Sequence, residues 1–94
     1  MAVEFDLHLP LCGSLKDKRS QLQPILHGLR RRFLAAASEV GHADLHHRAL
    51  VGMAVVGPSP SQLEKVVESA QEWIWSQGEV EIISASVAWC DSDD

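Results

Sequence analysis

The apolar side chains in the first third of the chain change period once, from every second residue to every third or fourth, and that change constrains the fold more than any other feature. Val3, Phe5, Leu7 and Leu9 alternate with Glu4, Asp6 and His8, the period of a half-buried strand. Pro10 and Gly13 close it. Leu22, Ile25, Leu26, Leu29 and Phe33 then fall at i, i+3, i+4, i+7 and i+11, one apolar stripe of a helix. Ser14 with Asp17 in the first turn supplies an N-cap. Pro24 complicates this start, because a proline in a helix interior loses a hydrogen bond and costs about 3 kcal/mol. Ser20 with Gln23 offers a second capping box that puts Pro24 in a tolerated early position. The residues therefore allow a helix kinked at Pro24 or a separate turn over 14–20.

The second half repeats the theme. Leu34 to Val40 reads as a strand of small residues and residues 41–48 (GHADLHHR) as a polar connection. Ala49 to Val56 is a nearly continuous apolar run broken only by Gly52, the signature of a strand covered on both faces. Ser59, Pro60, Ser61 and Glu64 mark a helix start, and Leu63, Val66, Val67, Ala70 and Ile74 give its stripe until Gly78. Glu79 to Trp89 supplies the last strand. The order βαββαβ with right-handed crossovers predicts an α+β, ferredoxin-like sandwich: a four-stranded antiparallel sheet in the order 4-1-3-2 with two helices on one face. In that topology the end of the first strand, the second hairpin and the start of the fourth strand share one end of the sheet.

A chain of 94 residues makes one small domain over 1–94, with an acidic tail at 91–94 expected to fray. At 46% hydrophobic and 22% charged the composition is that of a globular protein, and no apolar run is long enough to span a bilayer. The N-terminus has acids at Glu4 and Asp6 and no basic segment, so it does not read as a signal peptide, and the expected location is the cytoplasm. Cys12 and Cys90 stand 78 residues apart without a CxxC partner, expected at opposite ends of the sheet as free thiols. The net charge of -5 conceals an asymmetry. Residues 14–48 hold seven basic residues against three acids, +4, whereas the remainder holds one lysine against ten acids, -9. Overall acidity argues against a general nucleic-acid binder, but a segregated basic third can meet phosphate locally.

SLKDKR at Ser14 to Arg19, then Glu39, Val40 and Gly41, then Asp44, Leu45, Arg48 and Ala49 form a pattern that resembles the YlxP-like family of uncharacterised bacterial proteins. The similarity runs from Val3 to Trp89. It implies a ferredoxin-like fold, no established activity or cofactor, and genes neighbouring those for translation initiation and ribosome maturation, an association that points toward RNA or the ribosome.

The candidate anion or RNA site is Lys16, Lys18, Arg19, Arg30, Arg31 and Arg48. Lys16, Arg19, Gln23, His27 and Arg30 share one helix face, beside the amides of a helix N-terminus. The competing reading is a solvated face with local ion pairs. On the helical wheel Lys18 turns toward the apolar stripe, so it is expected to pair with Glu39, Asp44 or Asp6, and Arg48 with Glu39. His42, Asp44, His46 and His47 hold ligand chemistry on a short connection with no rigid scaffold, and no physiological metal is expected there.

No nucleophile and base fall at motif spacing, and there is no glycine-rich phosphate loop, acylphosphatase arginine loop or CxxC, so neither enzyme activity nor a cofactor is expected. RNA-recognition domains of this topology stack bases on aromatics of the first and third strands; here the third has none. Two partners are expected: RNA or a ribonucleoprotein through the basic residues, and a second copy covering the open sheet face. The rival is a protein-interaction or assembly subunit whose basic residues form an internal salt-bridge network.

Overall fold

The computed structural model describes residues 1–88. The order is β1 (Ala2–His8), α1 (Leu15–Arg32), β2 (Ala36–Gly41), β3 (Arg48–Ala54), α2 (Pro60–Trp75) and β4 (Glu81–Ala88). The strands form one antiparallel sheet in the order β2-β3-β1-β4, the ferredoxin-like arrangement. The expected extension of the last strand to Trp89, the placement of Cys90 and the 91–94 tail lie outside the described residues.

Alternation in β1 buries Val3, Phe5 and Leu7 against the helices, opposite Met53, Val51 and Ala49 of β3. From the other side Leu22, Ile25, Leu26 and Leu29 of α1 and Leu63, Val67, Ala70 and Ile74 of α2 close the core. Each large apolar side chain fully buried there contributes roughly 1.5–3 kcal/mol.

α1 is one continuous helix, so the separate turn over 14–20 is not formed. Ser14, in extended conformation, accepts a hydrogen bond from the Asp17 amide at 3.1 Å, and Asp17 Oδ2 accepts from the Gly13 amide at 3.2 Å. Pro24 sits within the helix on its exposed side. The Ser20 carbonyl that it deprives of a donor belongs to another exposed residue, where water can replace the bond.

The second strand starts two residues later than its small side chains suggest. Leu34 takes a left-handed conformation (φ 51°) that turns the chain out of α1. Glycine usually marks such a position, and a leucine gives no warning of it. Residue Val40 forms a bulge, because Glu39 pairs with Val51 whereas Gly41 pairs with Leu50. Glu39 consequently faces the helices. Val40 lies across Gly52 on the open face, where a β-carbon at Gly52 would come within 3.0 Å of it.

Two strands carry apolar residues that the single chain leaves uncovered. β3 is buried only on its helix side: Leu50 and Gly52 are half-buried, Ala54 is exposed, and Val56 lies beyond the strand fully in solvent. β4 is an edge strand in which only Ile82 packs on the core, while Ile83 and Val87 are exposed. Apolar composition reads as double cover, but a lone copy of a two-layer fold supplies one layer.

Candidate polyanion-binding surface

The six basic residues singled out in the sequence divide into three groups. Lys18 is in the first. Its position on α1 turns it into the edge of the core, where it is only 3% exposed. Its ammonium donates to the carbonyls of His42 (2.9 Å), Arg48 (3.2 Å) and Ala43 (3.4 Å). Its Nζ also stands 2.7 Å from Glu39 Oε2. That buried oxygen has no directional hydrogen bond, so the Lys18 charge is what compensates it. Lys18 thus ties α1 to the β2–β3 hairpin, and the phosphate-binding role assigned to it is corrected: its donors are spent inside the protein.

Arg48 is held too, but not by the expected partner. Its Nε and Nη2 donate to Asp6 Oδ1 (3.2 Å) and Oδ2 (2.7 Å), a bidentate pair on the open face. The parity of the strands forbids the Arg48–Glu39 pair. Arg48 stands opposite His8 on the open face, whereas Glu39 stands opposite Val51 on the helix face. His42 Nε2 approaches the same carboxylate at 3.7 Å. An anion at Arg48 would therefore have to displace Asp6.

Arg30 forms the second group alone. Its Nε and Nη2 clamp the Ala37 carbonyl at 3.0 and 2.7 Å, which joins α1 to β2 while the residue stays exposed.

Lys16, Arg19 and Arg31 form the third. All three are exposed, and none has a carboxylate within ion-pair distance among the described residues. With Gln23, His27 and Arg30 they run the length of α1 on its solvent side, a stripe about 22 Å long at the helical rise. Asp17 is the only acid in the helix, and it is occupied at the N-terminal cap. The three arginines of the last turn also lie at the negative end of the helix dipole, which favours them there.

The four residues of the connection do not assemble a metal centre. His42 turns to Asp6, His46 and His47 contact each other with rings tilted by 59° and centroids 5.2 Å apart, and Asp44 is exposed. No group of three ligating side chains converges among the described residues. Cys12 is buried, with its thiol donating to Gln21 Oε1 at 3.1 Å. Burial, reinforced by Asp17 and opposed by Lys18, pushes the thiol up from its ordinary pKa, which keeps it protonated and a poor nucleophile.

Sequence reasoning passed over Arg32 and Trp73. The guanidinium of Arg32 lies 5.2 Å from the centroid of the Trp73 ring, in the groove between the helices. The available signal was Gly28, a mid-helix glycine costing about 1 kcal/mol relative to alanine without an evident local reason.

A family model described as "Protein of unknown function (DUF503)" matches residues 1–87. The chain is 35% identical over 77 residues to "Uncharacterized protein YlxP" of Bacillus subtilis (strain 168), covering 82% of this chain and 84% of that protein. On both grounds the chain belongs to the DUF503 family, the YlxP-like proteins.

Proposed function

We propose that this protein is a non-enzymatic cytoplasmic module that binds RNA or a ribonucleoprotein surface through phosphates lying along α1. One observation carries the reading: Lys16, Arg19 and Arg31 are exposed along one helix face of an otherwise acidic chain, with no ion-pair partner among the described residues. Phosphate contact from such a stripe gives position and affinity without base identity. Arg30 contributes from the same face, whereas Lys18 and Arg48 hold the scaffold.

Fluorescence anisotropy of the full chain with a labelled ribosomal RNA fragment tests the reading. Micromolar binding at low salt that weakens steeply at high salt is expected. Absence of binding at low salt would sink it.

A second reading is favoured by the open sheet face. A shallow apolar hollow of about 350 Å³ lies there over Ala2, Ala36, Ser38, Gly52 and Ala54, flanked by the exposed Val40. Its small side chains let another backbone layer approach closely, and a second copy is the occupant this reading assigns. Light scattering at micromolar concentration should give the dimer mass, and Val40→Asp should return it to the monomer. A monomer mass for the wild type counts against the dimer and leaves the RNA reading standing.

A further inference from the structure

The stripe on α1 ends beside a depression of about 470 Å³ lined by Pro24, His27, Gly28, Arg31, Arg32 and Trp73. Its size lies within the roughly 300–1,000 Å³ range of small-ligand sites. Gly28 makes it possible. A β-carbon there would sit 2.0 Å from Trp73 Cη2 and 2.3 Å from Cζ2, so only glycine lets the indole lie directly on the backbone of α1. Phe33 meets the indole edge-on at 6.4 Å between centroids, and Arg32 sits over its ring, which together hold the ring in one orientation. His27 and Arg31 stand one turn apart on the rim, with 3.5 Å between Nε2 and Nη1.

Every ionisable group lining it is basic, and α2 contributes Trp73 alone. The acids Glu68 and Glu72 of α2 line a different depression, with Gln71 and Trp75. A guanidinium layered on an indole, with a second arginine and a histidine on the rim, suits a ligand with a π-face and a phosphate, because bases stack on guanidinium planes while phosphate pairs with arginine.

We infer that this depression is a nucleotide clamp, in which a base of single-stranded RNA stacks on the Arg32 guanidinium that lies over Trp73 while its phosphate is held by Arg31 and His27. The clamp rests on the RNA reading above and gives it something the stripe lacks: a preference for unpaired nucleotides over duplex. A base inside a helix cannot reach that guanidinium. The sheet face that related topologies use for stacking is replaced here by the groove between the helices.

The test follows the indole N–H resonances of isotope-labelled full-length protein during titration with adenosine 5′-monophosphate and, separately, with inorganic pyrophosphate. Trp73 is assigned by the resonance lost in Trp73→Phe. The nucleotide should move the Trp73 resonance, and pyrophosphate should move it several-fold less. In parallel, Trp73→Leu should weaken binding of a single-stranded RNA of about 12 nucleotides roughly tenfold without changing its salt dependence, since the support for stacking and not a phosphate contact is removed. RNA binding that is salt-dependent in the wild type, with a Trp73 resonance indifferent to the nucleotide, overturns the clamp and leaves the stripe intact. No RNA binding at low salt overturns both. The wild-type titration decides the matter even if Trp73→Leu does not fold.

Discussion

Lys18 and Lys16 are two residues apart on one helix, carry the same charge, and have opposite fates. Lys16 is exposed with no carboxylate in reach among the described residues, whereas Lys18 is buried and bonded to three carbonyls and Glu39. The difference is about 200° of helical rotation. A run of positive charge is therefore not one object, because the helix sorts its members into struts and free ends. Arg30 stands between the extremes, clamping a carbonyl with one edge of an exposed guanidinium.

Removing the strut should have the largest effect. Lys18→Ala leaves the buried Oε2 of the partly exposed Glu39 unpaired and should cost about 2–4 kcal/mol, read as a large fall in thermal midpoint. A midpoint close to the wild type would show that Lys18 is not structural. Next in size, Gly28→Ala forces a methyl into the Trp73 ring, and such overpacking should cost about 1–3 kcal/mol by urea denaturation. Unchanged stability there would mean that the helices separate freely.

Asp6→Ala frees Arg48 and should cost about 1 kcal/mol, because both partners of this pair keep some solvent contact. The same variant should raise RNA affinity if Arg48 was idle only because Asp6 occupied it. The smallest stability effect, within about 0.5 kcal/mol, belongs to the Lys16/Arg19 double alanine variant, whose side chains hold nothing in the fold. On the pH axis, the raised pKa of Cys12 means that its thiol ionises first in the unfolded chain. Stability should therefore decline as the pH rises above roughly 8.5, and Cys12→Ala should flatten that decline.

Much of the fold was legible because period and punctuation agree. The alternation in β1, the Ser14 cap and the Ser59-Pro60 start are local signals, and the structure keeps each of them. The onset of β2 and the bulge at Val40 were not legible, since a leucine at positive φ and an extra strand residue leave no mark in composition. The candidate site was legible by face but not by partner. Lys18 toward the core followed from the wheel, and Glu39 was among its expected partners. Arg48 was assigned to Glu39 because both were placed at one end of the sheet, but which face each occupies depends on register. The Trp73–Gly28 contact joins residues 45 positions apart, and only the packing of the two helices reveals it.

The most direct test of this division of labour is the salt dependence of RNA binding, measured by anisotropy for the wild type and the Lys16/Arg19 double alanine variant. Each phosphate contact on a single strand contributes about -0.7 to the slope of log K against log salt, so losing two should make the slope shallower by about 1.4. That result, with an unchanged melting midpoint, would establish the exposed stripe as the binding surface. An unchanged slope in the variant would contradict it and place the contact elsewhere on the molecule.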